Sequence, residues 1–314
     1  MNLHNDKEAF HDLAVLTAKE IGIPVTAVKR DYYIVMMLQK LAESQYAVRS
    51  VFKGGTSLSK CYPGSIMRFS EDIDLTFIPD DSTSKKQYDK ALKGIEKVMS
   101  RGANIQKIPE ERNDRNKSAF VWFDDENKDE TKVKLEIGSS IRPDPYEPRE
   151  LKTYIQEYLE AHGMGAVAKE YELEIVCINT LGIERTFLDK IMSVKRHAIC
   201  GTLEKKVRHI YDVTVLFDRP DIQMFLSRQD ELKKLIRKTK ETDRFYLEKR
   251  NVPAEYNPAE AYDFTAWEKY FDSGIRSRYE SLHEDLLYTN EKQEFDKAID
   301  TFRKISRLFE EIGE

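Results

Sequence analysis

The chain lacks any run of about 18 apolar residues, the length a helix needs to span a bilayer. Its first residues, Met1-Asn2-Leu3-His4-Asn5-Asp6, have neither the basic start nor the apolar stretch of a signal peptide. A cytoplasmic location with no membrane partner is therefore expected. Cysteine is scarce: Cys61, Cys177 and Cys200 lie far apart, and none forms a CxxC pair. An odd, scattered set argues against a disulfide framework and a zinc site, so three ordinary reduced thiols are expected. Positive charge is not in excess either, with 51 Lys and Arg against 56 Asp and Glu, a net charge of −5. A protein that coats nucleic acid would be basic overall, so any nucleic-acid partner must meet a local patch. No internal repeat or low-complexity segment is visible.

The material that is present suits about two domains over 314 residues. Hydrophobic residues at 40% supply a core, under a surface carrying 34% charged residues. Apolar spacing predicts helices over 7–22 and 29–43, separated by Pro24. A short strand over 49–53 runs into Gly54-Gly55, and residues 72–78 alternate with period two, as a half-buried strand does. A helix is expected over 84–100. Two strands, 119–123 and 132–137, are expected to form a hairpin through the polar 124–130 turn. Pro143, Pro145 and Pro148 mark the best candidate boundary, giving domains 1–148 and 149–314. Beyond it a strand near 173–177 precedes helices at about 183–200, 205–217, 221–240, 264–288 and 291–312.

Chemistry concentrates in Ser70-Glu71-Asp72-Ile73-Asp74-Leu75. In a strand, residues i and i+2 share a face, so Asp72 and Asp74 project together while Ile73, Leu75 and Phe77 face the core. Paired carboxylates repel, and a divalent cation turns that cost into binding. Glu136, in Lys132-Val133-Lys134-Leu135-Glu136-Ile137, lies opposite its own strand's core face. If the two strands pair, three carboxylates converge and can hold two Mg2+ ions, the arrangement of in-line phosphoryl transfer. By itself Asp-x-Asp equally suits a solvated strand face. Upstream, Lys53-Gly54-Gly55-Thr56-Ser57-Leu58 joins a strand to a short helix. Glycines there let backbone approach a phosphate, helix N–H groups face it, and Thr56 and Ser57 add hydroxyls. An ordinary turn with a helix cap is the alternative. In the 183–200 helix, Lys190 stands at the edge of the apolar stripe, able either to snorkel or to aim into a cleft. Arg208 and Asp212 share one side of the next helix, four apart, as a surface ion pair would.

This order, strand, Gly-Gly-Thr-Ser, helix, then strand with Asp-x-Asp, resembles the DNA polymerase β-type nucleotidyltransferase superfamily. More closely, Lys53 to Leu58 together with Arg68-Phe69-Ser70-Glu71-Asp72-Ile73-Asp74-Leu75 looks like the AbiEii/AbiGii toxin family. Thr186-Phe187-Leu188-Asp189-Lys190 and Arg208-His209-Ile210-Tyr211-Asp212 resemble that family's later motifs, with His209 where many relatives are acidic. The resemblance covers roughly 45–217. It implies an α+β fold: a polymerase β-type mixed sheet with flanking helices, followed by a mainly α-helical C-terminal domain. It implies a toxin of bacterial toxin–antitoxin and abortive phage infection systems that moves a nucleoside monophosphate from an NTP and releases pyrophosphate. Asp72, Asp74 and Glu136 would bind Mg2+, Lys53, Gly54, Gly55, Thr56, Ser57, Lys190 and Arg208 the nucleotide, and Asp212 would orient Lys190 or the nucleotide. The implied acceptor is RNA, foremost the 3′ end of tRNA, blocking translation, and a separate antitoxin would neutralise the chain.

Two other readings stand beside it: transfer to a protein or small-molecule hydroxyl, and a nucleotide- or antitoxin-binding module without catalysis. The basic run Lys233-Lys234-Leu235-Ile236-Arg237-Lys238-Thr239-Lys240 suits either an RNA patch or a solvated helical face. Tyr246, Tyr256, Tyr262, Trp267, Tyr270 and Phe271 are expected in the core rather than as base-stacking platforms.

Overall fold

The computed structural model describes residues 1–80, 84–138, 142–247, 255–288 and 291–314. The chain divides into two units, one of Met1–Cys61 with Phe69–Leu181, the other of Tyr62–Arg68 with Gly182–Glu314.

In the first unit, helix α1 (Lys7–Ile21) begins at Asp6, whose carboxylate accepts a bond from the Ala9 N–H. Helix α2 (Val25–Ala42) starts four residues before the expected position. Pro24 has no N–H to lose, and its carbonyl accepts the Ala27 and Val28 N–H groups. Residues 31–38 of α2 are all buried, so it is a central helix rather than a surface one. Strand β1 (Ser50–Lys53) runs directly into helix α3 (Gly54–Cys61), and strand β2 (Asp72–Phe77) follows. Lys60 fixes α3 from below: its ammonium lies 2.7 Å from Asp31 of α2 and 3.8 Å from the centre of the Tyr154 ring. Asp31 also accepts the Tyr154 N–H, which satisfies its second oxygen.

Helix α4 (Lys85–Met99) carries a capping box between Ser84 and Gln87. Next come β3 (Asn104–Lys107), β4 (Asn116–Trp122), the single turn α5 (Lys128–Thr131) and β5 (Val133–Gly138). The unit closes with β6 (Tyr146–Leu151), α6 (Tyr154–Ala161), α7 (Gly165–Glu170) and β7 (Val176–Leu181). Seven strands form one mixed sheet in the order β3-β4-β5-β2-β1-β7-β6. Strand β2 is antiparallel to β1 and parallel to β5. The expected β4–β5 hairpin is present, with α5 inserted in its connection.

Three expectations change. Strand β3 is exposed at every position and holds one apolar residue, Ile105, so no alternation betrays it. Strand β6 contains Pro148 yet pairs along its length with β7, an edge position where a missing N–H can face away from the ladder. The division expected after Pro148 therefore falls inside a strand of the first unit, and the chain leaves that unit after Leu181. The strand expected at 173–177 is displaced to Val176–Leu181, because the Leu173 N–H closes the end of α7 on the Ala168 carbonyl.

The second unit is helical: α8 (Ile183–Ile199), α9 (Val207–Phe217), α10 (Pro220–Ser227), α11 (Gln229–Leu247), α12 (Ser273–Glu280), α13 (Leu282–Asp285) and α14 (Phe295–Glu311). The helix expected over 221–240 breaks at Arg228, where ψ is 76°. Arg228 is the junction: its N–H bonds the Phe225 carbonyl and its own carbonyl accepts the Leu232 N–H, so one helix ends and the next begins there, while buried Phe225 and Leu232 keep helical spacing across it. The helix expected over 264–288 becomes two 3-10 turns and two short helices. The Asp263 and Asp272 carboxylates accept N–H bonds from Thr265 and Ile275 and restart the chain locally. Around them lies an aromatic core in which Phe264 meets Trp267 at 4.7 Å, edge to face, and Phe271 meets Phe302 at 5.4 Å. Tyr256, Tyr262, Trp267 and Phe271 are buried as expected, while Tyr270 is half-exposed. The Tyr246 side chain lies outside those described.

The electrostatic centre of this unit is Asp212 of α9, with no exposed surface. Its carboxylate accepts Arg68 Nε at 2.6 Å and Nη2 at 2.7 Å, and Lys190 Nζ lies 2.7 Å away. Arg68 and Lys190 are themselves buried. Burial pushes the Asp212 carboxyl up, but the charges and hydrogen bonds of Arg68 and Lys190 outweigh it and hold it at about 2. Removing one partner of such a cluster leaves a buried charge uncompensated. Asp212→Asn is therefore expected to destabilise the protein by about 3–5 kcal/mol in urea unfolding at pH 7. Because the folded carboxyl titrates below its ordinary value of 3.8, the wild-type advantage is complete above about pH 4. It should fade as pH falls toward 2, so the gap between wild type and variant narrows on acidification.

Candidate active site

The sheet places its chemistry by alternation. Along β2, Ile73 and Leu75 are buried while Asp72 and Asp74 are half-exposed on the opposite face. Along β5, Val133, Leu135 and Ile137 are buried while Lys134 and Glu136 are half-exposed. The parallel register sets Asp72 beside Lys134 and Asp74 beside Glu136. On the other edge, Lys53 of β1 is the partner of Asp74. Neighbouring strands lie about 4.8 Å apart, so these are adjacent side chains. The Asp72 carboxyl is pushed up to about 6 by burial first, then by the charges of Asp74 and Glu136, with Lys134 partly offsetting them. The three carboxylates thus share one electrostatic environment, as expected from the sequence.

Their convergence is incomplete. Glu136 is drawn to Lys134, whose ammonium lies 2.6 Å from one of its oxygens and 2.9 Å from Glu111. Among the described residues no three His, Cys, Asp or Glu side chains are gathered as a finished metal site. The donor chemistry still fits a hard divalent cation: Asp72 and Asp74 offer carboxylate oxygens, and the excess negative charge that raises Asp72 is what such an ion relieves.

The turn into α3 is shaped by Asp74. Gly54 has φ of +87°, a region that L side chains rarely enter. A Cβ at that position would sit 2.3 Å from Asp74 Oδ2. Glycine is thus required twice, by the backbone angle and by the carboxylate lying against it. The hydroxyls behave differently from expectation. Thr56 and Ser57 are buried, Thr56 donating to the Asp72 carbonyl and Ser57 to the Gly54 carbonyl at 3.0 Å. They brace the turn and tie α3 to β2, leaving the backbone N–H groups at the start of α3 as the donors that no preceding turn can satisfy. Just before β2, Glu71 is held by Arg30 of α2 at 2.6 Å.

In the helical unit, Lys190 and Asp212 come together as an ion pair. Lys190 does not snorkel, with only 5% of its surface exposed. The Arg208–Asp212 surface pair is not formed: Arg208 is exposed and Asp212 points into the core. Residue Arg68 is the functional candidate that sequence reasoning passed over. It stands inside the quoted Arg-Phe-Ser-Glu-Asp motif, yet nothing in spacing links it to a residue 144 positions away. With Lys190 it gives Asp212 two cationic partners. Burial, then Lys190, Lys206 and Arg68, drive the His209 ring far below its ordinary value, so it is neutral beside that charge. The basic run of α11 is partly spent, since Glu314 holds Arg237 at 2.8 Å and Lys240 at 3.0 Å.

Three comparisons bear on this arrangement. In the first, no curated protein matches the chain significantly. Among solved structures, MenT4, a nucleotidyltransferase toxin from Mycobacterium tuberculosis H37Rv, superposes with a TM-score of 0.50 at 18% identity, covering 96% of this chain and 99% of that one. JHP933 from Helicobacter pylori gives a TM-score of 0.39 at 18% identity, over 82% of this chain and 94% of its own. The former likeness extends to the fold. The family model described as nucleotidyl transferase AbiEii toxin, type IV toxin–antitoxin system, matches residues 36–301 and so contains every residue of both clusters described above. The chain therefore belongs to the AbiEii family of nucleotidyltransferase toxins.

Proposed function

We propose that this toxin transfers a nucleoside monophosphate from an NTP to an RNA hydroxyl, foremost the 3′ end of tRNA, in a reaction that depends on Mg2+. The observation that carries the reading is the row of Asp72, Asp74 and Glu136 on one face of β2 and β5, with Asp72 raised by burial and then by its neighbours' charge. Two Mg2+ ions held by these three carboxylates would neutralise triphosphate oxygens and lower the pKa of the acceptor hydroxyl. The protein's own part is positional. The backbone N–H groups at the start of α3, at Gly54-Gly55, would meet a phosphate, and Lys53 adds a cation at the edge of the same turn. Lys190, its ammonium held by Asp212, which Arg68 fixes in turn, is assigned to the phosphates, and exposed Arg208 to the nucleotide. The acceptor oxygen attacks the α-phosphorus, the bond to the β-phosphate bridge breaks, and pyrophosphate leaves while the hydroxyl proton passes to a carboxylate or solvent. Blocked tRNA ends would stop translation, abortive phage infection being one setting for it, and a cognate antitoxin would neutralise the chain.

A protein or small-molecule acceptor is favoured by one observation. Glu314 pairs with two cations of the strongly basic run on α11, which weakens the case for an RNA surface there. Labelled NTPs incubated with a total cell extract separate these readings by which fraction becomes labelled. Label in tRNA supports the first, and label confined to protein or small molecules refutes it.

Two outcomes test the carboxylates. Asp74→Asn is expected to lower Mg2+-dependent incorporation by about three orders of magnitude, the equivalent of ~4 kcal/mol. Undiminished incorporation would remove the site. Asp72→Asn should abolish incorporation too, yet stabilise the metal-free protein at pH 7 by ~1 kcal/mol after solvent screening. The sign follows from a folded carboxyl raised from 3.8 to about 6: its stabilising contribution is present below about pH 4 and is lost as pH rises through 6. The stability gain of the variant in urea unfolding should accordingly vanish at about pH 4.

A further inference from the structure

Lys134 is not needed by the reaction as drawn above, and its place in the sequence gives it no role. It nevertheless sits in the middle of the acidic face. Alternation along β5 puts it on the same side as Glu136, and the register puts it beside Asp72. Its ammonium lies 2.6 Å from Glu136 and within 3.0 Å of both oxygens of Glu111, which belongs to the 3-10 turn Pro109–Glu111 before β4. The face therefore sets three carboxylates, Asp72, Glu136 and Glu111, around Lys134, with Asp74 beside Glu136.

A lysine in such a place competes with any ion that needs the same oxygens. Glu136 cannot turn fully toward Asp74 while one of its oxygens is held at 2.6 Å by Lys134. Glu111 offers the ammonium a second acceptor, so Lys134 can release Glu136 without becoming an unpaired charge. We propose that Lys134 is the resident counter-cation of the carboxylate row: it holds Glu136 toward Glu111 until a divalent cation displaces it, and so sets the cation concentration at which the row closes. This inference rests on the carboxylate reading given under Proposed function.

The exchange has a defined sign. Neutralising Lys134 removes a competitor and leaves Glu136 available, so divalent-cation affinity rises. Had Lys134 served instead to hold triphosphate, its loss would leave cation affinity unchanged and raise the KM for NTP. The test is calorimetric titration of Mn2+ into the full chain without nucleotide, for wild type, Lys134→Met, Lys134→Gln, Lys134→Arg and Asp74→Asn, with circular dichroism to confirm folding. Expected results are about tenfold tighter binding for the two neutral variants, the factor produced by ~1.4 kcal/mol, wild-type affinity for Lys134→Arg, and lost binding for Asp74→Asn. Wild-type affinity, or weaker binding, in a folded neutral variant overturns the role of Lys134 and leaves the carboxylate row standing. Absence of Mn2+ binding in wild type and neutral variants alike, or binding that survives Asp74→Asn, overturns the row itself and the inference with it.

Discussion

The sheet site depends on one constraint, that β2 is hydrogen-bonded on both edges. Its antiparallel pairing with β1 sets Lys53 and the Gly54 turn against Asp74, and its parallel pairing with β5 sets Glu136 beside the same residue. A slip of one residue in either ladder would turn Asp72 and Asp74 into the core and bring Ile73 and Leu75 out. Burial of Ile73, Leu75, Leu135 and Ile137 therefore holds the like charges together. The hydrophobic effect bears the repulsion, and the raised Asp72 carboxyl is where the cost appears.

The same constraint explains the glycine. Asp74 lies so close to the backbone at residue 54 that no side chain fits, which makes the turn and the carboxylate parts of one structure. The hydroxyls of Thr56 and Ser57 donate to backbone carbonyls of that structure, and the Lys60–Asp31 pair anchors the far end of α3 to α2. The helical unit solves a different problem. There Asp212 is held by two buried cations, and its depressed titration reports how strongly they bind it.

Much of this was legible in the residue pattern. Period-two alternation announced β2 and β5, and the strand–glycine–helix order announced the turn, because burial on one face leaves a local trace in sequence. The helices of the second unit were announced where one stripe keeps its spacing, as in α8, and the break at Arg228 was missed because the buried residues keep that spacing across it. Strand β3 is exposed throughout and strand β6 carries Pro148, so neither bears the signature of a strand, and the boundary expected after Pro148 lies within β6.

Identity of the carboxylates, the glycine turn, the lysine on α8 and the aspartate on α9 were properties of the chain as written, since each depends on residue type at short range. What those groups touch was decided only in three dimensions. Arg68 reaches Asp212 across 144 positions, Asp212 abandons its neighbour Arg208 for the core, and Glu136 pairs with a lysine two residues away. The physical reason is that Coulomb energy in a protein depends on distance and burial, and neither follows from separation along the chain.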